Sequence, residues 1–264
     1  MLDNDCEPID LARVTQETGI ERVHFFDETD STNTQALAHA ARSAEPLTEL
    51  FIAERQTGGR GRGQNRWWSA SGALTWSVLT RPLTVPPAHL PQVSLTMGLA
   101  ICEAVEQFAQ GDIALKWPND VFLNGRKVAG ILIELPSGTP PRLVVGVGLN
   151  VNNSANSAPE ELREAAIAMC DVLPTSGMSL DRTAVLVACL SQIEVQLARF
   201  ERGDPTLASD WRGRSLLTGR NVQVETPRQK ITGVCEGLAD DGALRVRTSS
   251  GVEQLYGGVV IGFR

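Results

Sequence analysis

The chain has 264 residues, of which 42% are hydrophobic and 21% charged, and its formal net charge at pH 7 is −7. This is an ordinary globular composition, able to bury a core. The excess of acidic residues argues against a general nucleic-acid binder, which would present a basic face. The length suits one large domain, or one medium domain with a small partner.

Neither the cysteines nor the N-terminus indicates secretion. The five cysteines (Cys6, Cys102, Cys170, Cys189 and Cys235) form no Cys-x-x-Cys pair, and no His-Glu-x-x-His occurs. The acidic, polar start differs from a signal peptide, and no apolar run reaches the roughly 18 residues of a membrane span. We therefore expect a soluble cytoplasmic protein without a zinc site or a disulfide framework.

The N-terminal stretch predicts two helices on either side of a strand. The helices are expected at residues 8–18 and 35–42, and the strand at 23–26. Eight consecutive polar or acidic residues, 27–34, lie before the second helix. Ser31, Thr32 or Asn33 occupies the position of its N-cap. These residues either cap the helix or direct hydroxyls and an amide toward a polar ligand.

A loop rich in glycine and arginine, residues 56–68, follows a predicted strand at 49–53 and precedes another at 73–79. It has four glycines and three arginines in the nine positions Gly58–Arg66. Glycine disfavours helix and strand and lets backbone N–H groups approach a ligand. A guanidinium binds phosphate or carboxylate in bidentate fashion. The loop is therefore an anion-binding loop or a solvated turn, and it matches neither the P-loop nor the Rossmann pattern.

The central part of the chain predicts one amphipathic helix and four strands, at 90–107 and at 113–115, 121–123, 128–135 and 142–149. Pro118 must break the chain out of regular pairing within Lys116–Asp120. Asn124-Gly125 is a favoured two-residue hairpin turn. Gly130 interrupts a strand where a backbone approaches a ligand. The last strand is apolar enough to be buried on both faces, and it ends at Asn150.

The residues after 150 predict two helices and then a small β domain. The helices are expected at 160–173 and 180–202, followed by a connector at 211–219. Short strands are expected at 222–224, 231–234, 243–246 and 259–261. Their spacing suits a β-barrel of fewer than about 50 residues.

Polar insertions at the ends of apolar elements occur in an order that resembles the catalytic domain of biotin protein ligases, the holocarboxylase synthetase family. The matching segments are Asp30–Asn33, Gln56–Arg62, Lys116–Asp120, Arg126–Glu134 and Gly146–Asn150. As an ordered set they are far more specific than any single motif. The resemblance implies a mixed α/β (α+β) domain, with a mixed sheet and flanking helices like class II aminoacyl-tRNA synthetases, at residues 1–217. It implies a C-terminal SH3-like β-barrel at 218–264.

The resemblance also implies the reaction and its residues. The family makes biotinoyl-5′-AMP from biotin and Mg-ATP, and then transfers biotin to a lysine of a carboxyl carrier domain. The biotin-binding positions would be Ser31, Thr32, Asn33, Gln56, Arg60, Gly61, Arg62, Lys127 and Gly130. The adenylate-binding positions would be Arg62, Trp67, Asn119 and Asn150. The catalytic positions would be Arg60, Arg62, Lys127 and Asp120.

Two anions meet in the implied reaction, the carboxylate of biotin and the α-phosphate of ATP. Arg60, Arg62 and Lys127 would offset their repulsion and the charge that develops in the transition state. Asp120 is the candidate Mg²⁺ ligand and also the candidate base for the acceptor lysine. The partners implied are a biotin carboxyl carrier domain, biotin and ATP, with no membrane partner; a homodimer is left open.

The chain departs from the family pattern in two places. Gln64-Asn65 stands where many members have a second Gly-Arg pair, so we expect a different rate of adenylate retention and the same reaction. Only about 22 residues precede the strand at Val23, too few for the helix-turn-helix domain of some members, so we expect no DNA binding. The alternatives are a lipoate–protein ligase-like enzyme and a non-catalytic biotin-binding sensor.

Overall fold

A computed structural model describes residues 7–83, 85–137, 141–175 and 177–264. Cys6 lies outside the described residues. Seven strands form the larger sheet: β1 Arg22–Thr29, β2 Glu49–Gln56, β3 Leu74–Leu79, β4 Ile113–Lys116, β5 Asp120–Leu123, β6 Arg126–Glu134 and β7 Val144–Leu149. Their order is β1-β2-β3-β7-β6-β5-β4. Only the β1–β2 pair is parallel among the pairs of this sheet, so the sheet is mixed as predicted.

Helices cover both faces of this sheet. They are α1 Leu11–Glu17, α2 Thr32–Ala40, α3 Leu90–Val105, α4 Glu160–Arg163, α5 Arg182–Glu201 and α6 Leu207–Gly213. On one face α3 packs against α5 and against β4 and β6. On the other face α2 places Ala36 against Phe51, Leu79 and Val144. Strand β7, buried along its whole length, lies between the two layers, which confirms the burial predicted from its apolar run.

One helix in the described ranges, α5, is long and apolar enough to cross a membrane by length and composition. Its Val185, Leu186, Leu190 and Ile193 are buried in the main hydrophobic core. In this structure α5 is therefore a core helix.

The hairpin between β5 and β6 has the predicted turn. Asn124 and Gly125 have φ values of 49° and 76°. Positive φ at both central residues is what a type I′ turn requires, and asparagine and glycine adopt it most readily. The hairpin places Asp120 opposite Gly130 in the register of the two strands.

Five strands form a separate antiparallel sheet at the C-terminal end: β8 Asn221–Glu225, β9 Lys230–Leu238, β10 Leu244–Thr248, β11 Gly251–Leu255 and β12 Val259–Phe263. Their order is β11-β10-β9-β8-β12. The sheet fits the small β domain that was predicted, although β11 was not foreseen because its residues are mostly exposed and lack an apolar alternation. The predicted domain boundary at 217/218 falls between α6 and β8.

The structure corrects two sequence predictions. Residues 160–173 are not one helix, because 165–167 bond to the backbone of Lys127 instead: Lys127 N–H donates to Ala165 O at 2.9 Å, and Ile167 N–H donates to Lys127 O at 3.0 Å. Only α4 and a 3₁₀ turn at Met169–Val172 remain helical. The predicted connector starts inside α6, whose Trp211 is buried in the core.

Candidate active site

A cavity of about 350 Å³ opens where the polar insertions meet. It is lined by Ser31, Thr32, Asn33, Gln56, Arg60, Gly61, Arg62, Asn65, Arg66, Trp67, Trp76, Lys116, Trp117, Pro118, Asn119, Asp120, Lys127, Gly130, Ile131, Leu132, Gly146, Val147, Gly148, Gly258, Val259 and Val260. The structure thus brings together all nine predicted biotin-binding positions. It also brings Trp67, Asn119 and Asp120 to the same cavity, but not Asn150.

The start of α2 and the end of β2 form one end of the cavity. Thr32 N–H donates to Gln56 Oε1 at 2.8 Å, and the Thr32 hydroxyl lies 3.2 Å from the same oxygen. Ser31 occupies the N-cap position but makes no side-chain bond to the helix. Its side chain therefore does not cap the helix, which favours the reading that it meets a ligand.

A buried serine below these residues was missed by the sequence prediction. The Ser77 hydroxyl, on β3, lies 2.6 Å from Asn33 Oδ1 and 2.8 Å from Thr32 Oγ1. Because Asn33 Oδ1 can only accept, Ser77 donates its proton there. The available signal was a hydroxyl in an apolar strand that is buried at every position. Ser77 fixes the orientation of two lining residues from beneath.

Replacing Ser77 with alanine should leave Asn33 Oδ1 without its buried donor. An unsatisfied buried polar group costs about 1–3 kcal/mol, so we expect the free energy of unfolding to fall by about that amount. We also expect KM for the ligand held at this end of the cavity to rise. Urea denaturation and steady-state kinetics measure the two effects. Ser157→Ala, at an exposed position, is the control; equal stability of both variants would contradict the role of Ser77.

The Gly/Arg loop folds as a small hairpin beside the cavity. Arg60 and Arg66 form a bridge pair, Gly61 N–H donates to Asn65 O at 2.8 Å, and Trp67 N–H donates to Gly59 O at 3.0 Å. A Cβ at Gly59 would lie 2.6 Å from the carbonyl oxygen of Trp67, which no side chain tolerates. The glycine content therefore reflects close backbone packing within the loop as well as access to a ligand.

Five cationic side chains line the cavity: Arg60, Arg62, Arg66, Lys116 and Lys127. Arg60 Nη2 lies 2.6 Å from Glu134 Oε1, and Lys127 Nζ lies 2.6 Å from Asp120 Oδ1. Arg62 donates to the carbonyl of Gly258 at 2.9 Å, while Lys116 Nζ lies 5.4 Å from each of two phenylalanine ring centroids, those of Phe122 and Phe263. Because only one lining residue in the described chain, Asp120, is a carboxylate, the cavity is suited to anions.

Burial acts on two of these cations. It lowers the pKa of Lys116, an effect that Asp120 opposes and Lys127 reinforces. Burial likewise lowers the pKa of Arg62, again opposed by Asp120. Lys116 begins the matching segment Lys116–Asp120, but the sequence analysis predicted no role for it. Its desolvation next to another cation means that an anionic ligand would gain from both charges.

Glu134 holds two lining residues at once. It accepts from Asn33 Nδ2 at 2.8 Å through one oxygen and pairs with Arg60 through the other. A ligand carboxylate that reaches Arg60 must therefore compete with Glu134. Glu134 was not among the predicted site residues, although it ends one of the matching segments.

Replacing Glu134 with glutamine should weaken the hold on Arg60 and keep an acceptor for Asn33. Exposed ion pairs contribute about 0.2–1 kcal/mol, so we expect the KM of an anionic ligand bound by Arg60 to fall by about 1.4- to five-fold. Glu201→Gln is a matched control, because Glu201 pairs with Arg81 at the same 2.6 Å and has the same 22% side-chain exposure. A rise in KM would mean that Glu134 supports ligand binding.

Two glycines of β7 make room for side chains at the cavity. A Cβ at Gly146 would lie 1.9 Å from Asn33 Oδ1, and a Cβ at Gly148 would lie 2.2 Å from the ring of Trp67. Lys127 Nζ lies 5.9 Å from the centroid of that ring. The buried Trp67 Nε1 has no partner among the described residues. Trp67 therefore forms a flat apolar wall that a planar ligand can contact.

The two predicted adenylate contacts from asparagine differ in position. Asn119 lines the cavity, with Nδ2 donating to Ile131 O at 2.7 Å. Asn150 is 4% exposed; its Nδ2 donates to Ile167 O at 3.1 Å, and its Oδ1 accepts from Asn153 at 2.9 Å. Because both ends of its amide bond to protein, Asn150 joins two loop segments beside the site.

The C-terminal sheet completes the cavity, which the sequence did not predict. Gly258, Val259 and Val260 are lining residues. Trp117 Nε1 donates to Gly242 O at 3.1 Å across the same boundary. The Gly/Arg loop, through Arg62, and the Lys116–Asp120 segment, through Trp117, thus both bond to the C-terminal β domain.

Two family models match the chain. The Biotin/lipoate A/B protein ligase family matches residues 25–150, and the biotin protein ligase C terminal domain matches 217–261. A biotin–[acetyl-CoA-carboxylase] ligase of Mycobacterium tuberculosis is 36% identical over 233 residues, 86% of this chain and 84% of that protein. The ligase of the same name from Paracoccus denitrificans is 31% identical over 229 residues, 84% of this chain and 93% of that one.

Solved structures agree with this pattern. A biotin protein ligase from Aquifex aeolicus, in complex with biotin and ATP, superimposes with a TM-score of 0.77 at 30% identity. The match covers 93% of this chain and 99% of that one. Both sheets of the chain are therefore included in the similarity.

Proposed function

This chain belongs to the biotin protein ligase family and is an ATP-dependent ligase that uses biotin, and we propose that the cavity beside the Gly/Arg loop is where biotin and ATP react. The observation that carries the proposal is the convergence of five cations on one cavity: Arg60, Arg62, Arg66, Lys116 and Lys127. Binding of biotin alone does not need so many cations near one carboxylate.

We assign the ureido ring of biotin to the polar end of the cavity. Ser31, Thr32 and Gln56 offer hydroxyl and amide groups there, and Ser77 holds Thr32 in place. A buried ring with both donors and acceptors needs such partners, because each unpaired polar group costs about 1–3 kcal/mol. This arrangement sends the carboxylate of biotin toward Arg60 and Lys127.

The first half-reaction needs little acid–base chemistry. The carboxylate of biotin is already a nucleophile; its oxygen forms a bond to the α-phosphorus of ATP, and pyrophosphate leaves with the electrons of the broken P–O bond. Arg60, Arg62 and Lys127 offset the repulsion of the two anions and stabilise the charge on the α-phosphate. Trp67 would cover the adenylate, and Asn119 would contact it.

The residues present fit a Mg²⁺ ion that arrives with the nucleotide. Such an ion uses one or two carboxylates together with substrate phosphates, and Asp120 is a carboxylate that lines the cavity. When bound, Mg²⁺ supplies charge neutralisation for the phosphates. Lys127, paired with Asp120, orients that carboxylate.

In the second half-reaction the acceptor lysine must lose its proton. Asp120 is our candidate base, because among the described residues it is the carboxylate that lines the cavity. Asp120→Ala should then slow biotin transfer from preformed adenylate. Unchanged transfer would remove Asp120 from this role.

Pyrophosphate–ATP isotope exchange tests the proposed activity. The purified chain should catalyse exchange that depends on biotin, and exchange with lipoate should be absent. Exchange with lipoate alone would move the chain to a lipoate–protein ligase-like activity. Exchange with neither would favour a biotin-binding sensor.

We also propose the partner and the compartment. The names of the two bacterial relatives point to a carboxyl carrier domain of acetyl-CoA carboxylase as the acceptor. The net charge of −7 supports the absence of a nucleic-acid partner. The free thiols of Cys102, Cys189 and Cys235 support a cytoplasmic location. Biotin labelling of an isolated carrier domain tests the proposed acceptor. A gel shift with operator DNA tests the proposed absence of a nucleic-acid partner.

A further inference from the structure

Two histidines and a glutamate converge at the edge of the larger sheet, outside the cavity. His24 lies on β1, His39 in the last turn of α2, and Glu49 at the start of β2. His24 Nε2 lies 2.8 Å from Glu49 Oε2, and His39 Nε2 lies 3.1 Å from Glu49 Oε1. None of the three lines the cavity, and the proposed function does not use them.

Glu49 is a carboxylate with no exposed surface. Burial by itself raises the pKa of Glu49, but the hydrogen bond from His24 and the charges of His39, His24 and Arg22 bring it below its ordinary value. Each of its two oxygens faces one imidazole nitrogen, and a carboxylate oxygen is a ligand that Zn²⁺ accepts.

Two arginines lie near Glu49, but each has closer partners. Arg22 Nη1 is 3.5 Å from Glu49 and 2.5 Å from Glu45. Arg142 Nη2 is also 3.5 Å from Glu49, while its Nε donates to Thr80 O at 2.6 Å. With neutral imidazoles, the two arginines and two glutamates sum to zero charge. The cluster therefore carries no net positive charge before a cation enters.

Aromatic packing holds the two imidazoles toward the carboxylate. The ring of His24 stacks on Phe51 at 4.2 Å between centroids, and the ring of His39 lies 5.5 Å from the same phenylalanine. The side chain of His24 is 26% exposed and that of His39 is 21% exposed. The nitrogens are thus oriented by packing and still within reach of solvent.

We propose that His24, His39 and Glu49 bind one first-row divalent ion of the Zn²⁺ class. The three ligand atoms lie within 4.8 Å of one another. Zn–N and Zn–O distances of about 2.0–2.2 Å place tetrahedral ligand atoms about 3.3–3.6 Å apart. The N···O distances of 2.8 and 3.1 Å are about 0.2–0.8 Å shorter than that, so side-chain rotations must open the site. Neutral imidazole and carboxylate are ligands that Zn²⁺ accepts.

The proton balance is simple. Without the ion, each Nε2–H donates to Glu49; with the ion, each neutral imidazole carries its proton on Nδ1 and gives the Nε2 lone pair to the metal. Solvent supplies the fourth ligand.

The ion would join β1, α2 and β2, and the other end of α2 carries Thr32 and Asn33 into the cavity. A closely spaced histidine pattern is not present here, because the ligands are 25 residues apart at the extremes.

Cobalt binding to the whole chain tests the proposal, with Co²⁺ as a spectroscopic substitute for Zn²⁺. We expect one equivalent to bind, giving the visible absorption of a four- or five-coordinate site without a thiolate charge-transfer band. His24→Gln and His39→Gln should each lose this signal. His89→Gln should keep it, since His89 is exposed and is the remaining histidine of the chain.

A measurement without substitution guards against variants that fail to fold. Paramagnetic Co²⁺ should shift or broaden two of the three imidazole resonances in the NMR spectrum of the unsubstituted chain, leaving His89 unchanged. Zn²⁺ should also raise Tm of the unsubstituted chain and not that of His24→Gln. A thiolate band, or equal binding by the His24→Gln and His39→Gln variants, would overturn the proposal.

Discussion

Replacing Lys127 with methionine is expected to lower kcat for biotin-dependent pyrophosphate–ATP exchange by about 100- to 1,000-fold. This is the range observed when one preorganised donor to developing charge is removed. The structure adds a second reason: Lys127 is the ion-pair partner of Asp120 at 2.6 Å, so its loss leaves that carboxylate facing the incoming anions. Initial rates at saturating biotin and ATP measure the effect.

Two further variants make this result specific. Lys230→Met removes an exposed lysine at the start of β9 and should leave exchange unchanged. Lys127→Arg keeps the charge but changes its shape, and we expect an intermediate rate because a guanidinium does not replace an ammonium at a tight contact. A Lys127→Met variant that exchanges at the parental rate would remove Lys127 from the reaction.

Replacing Gly148 with alanine is expected to lower the rate of adenylate formation by about 100-fold, the loss associated with a 1 Å misplacement in a site. The added Cβ would fall 2.2 Å from the ring of Trp67, so the indole must move away from the cavity wall. The chain should still fold, because an indole at the cavity has space to shift. Single-turnover kinetics and circular dichroism measure rate and fold together.

Gly213→Ala is the matched control, because a Cβ there meets no atom within 4 Å. Combining Gly148→Ala with Trp67→Ala tests the cause. If the effect acts through the indole, the double variant should be little worse than Trp67→Ala alone. Additive losses in the double variant would show that the methyl group disturbs some other contact.

The sequence predicted the elements whose signals are local. The apolar run before Asn150, the Asn124-Gly125 turn and the glycine-rich loop each depend on residues that are close in the chain, and each has the expected structure. The resemblance in the order of motifs then supplied the mixed sheet with helices and the small C-terminal β domain. That fold brings the polar insertions together at one cavity.

The features that the sequence did not predict depend on contacts between distant segments. Residues 165–167 have helical composition, but they pair with the backbone of Lys127, nearly forty positions earlier. Asn150 ends a core strand, yet its amide is bound by Asn153 and by the carbonyl of Ile167. Ser77 gave only a weak signal, a polar residue in an apolar strand. No local pattern reports which distant partner a side chain will find.

The wall formed by Gly258, Val259 and Val260 bears on how the protein becomes active during synthesis. Every other lining residue lies at position 148 or earlier. A ribosome therefore synthesises more than one hundred residues between the two parts of the site. The nascent chain can form the larger sheet during that interval while its cavity stays open on one side. Catalytic competence should therefore appear late in translation, after β12 has emerged and joined β8.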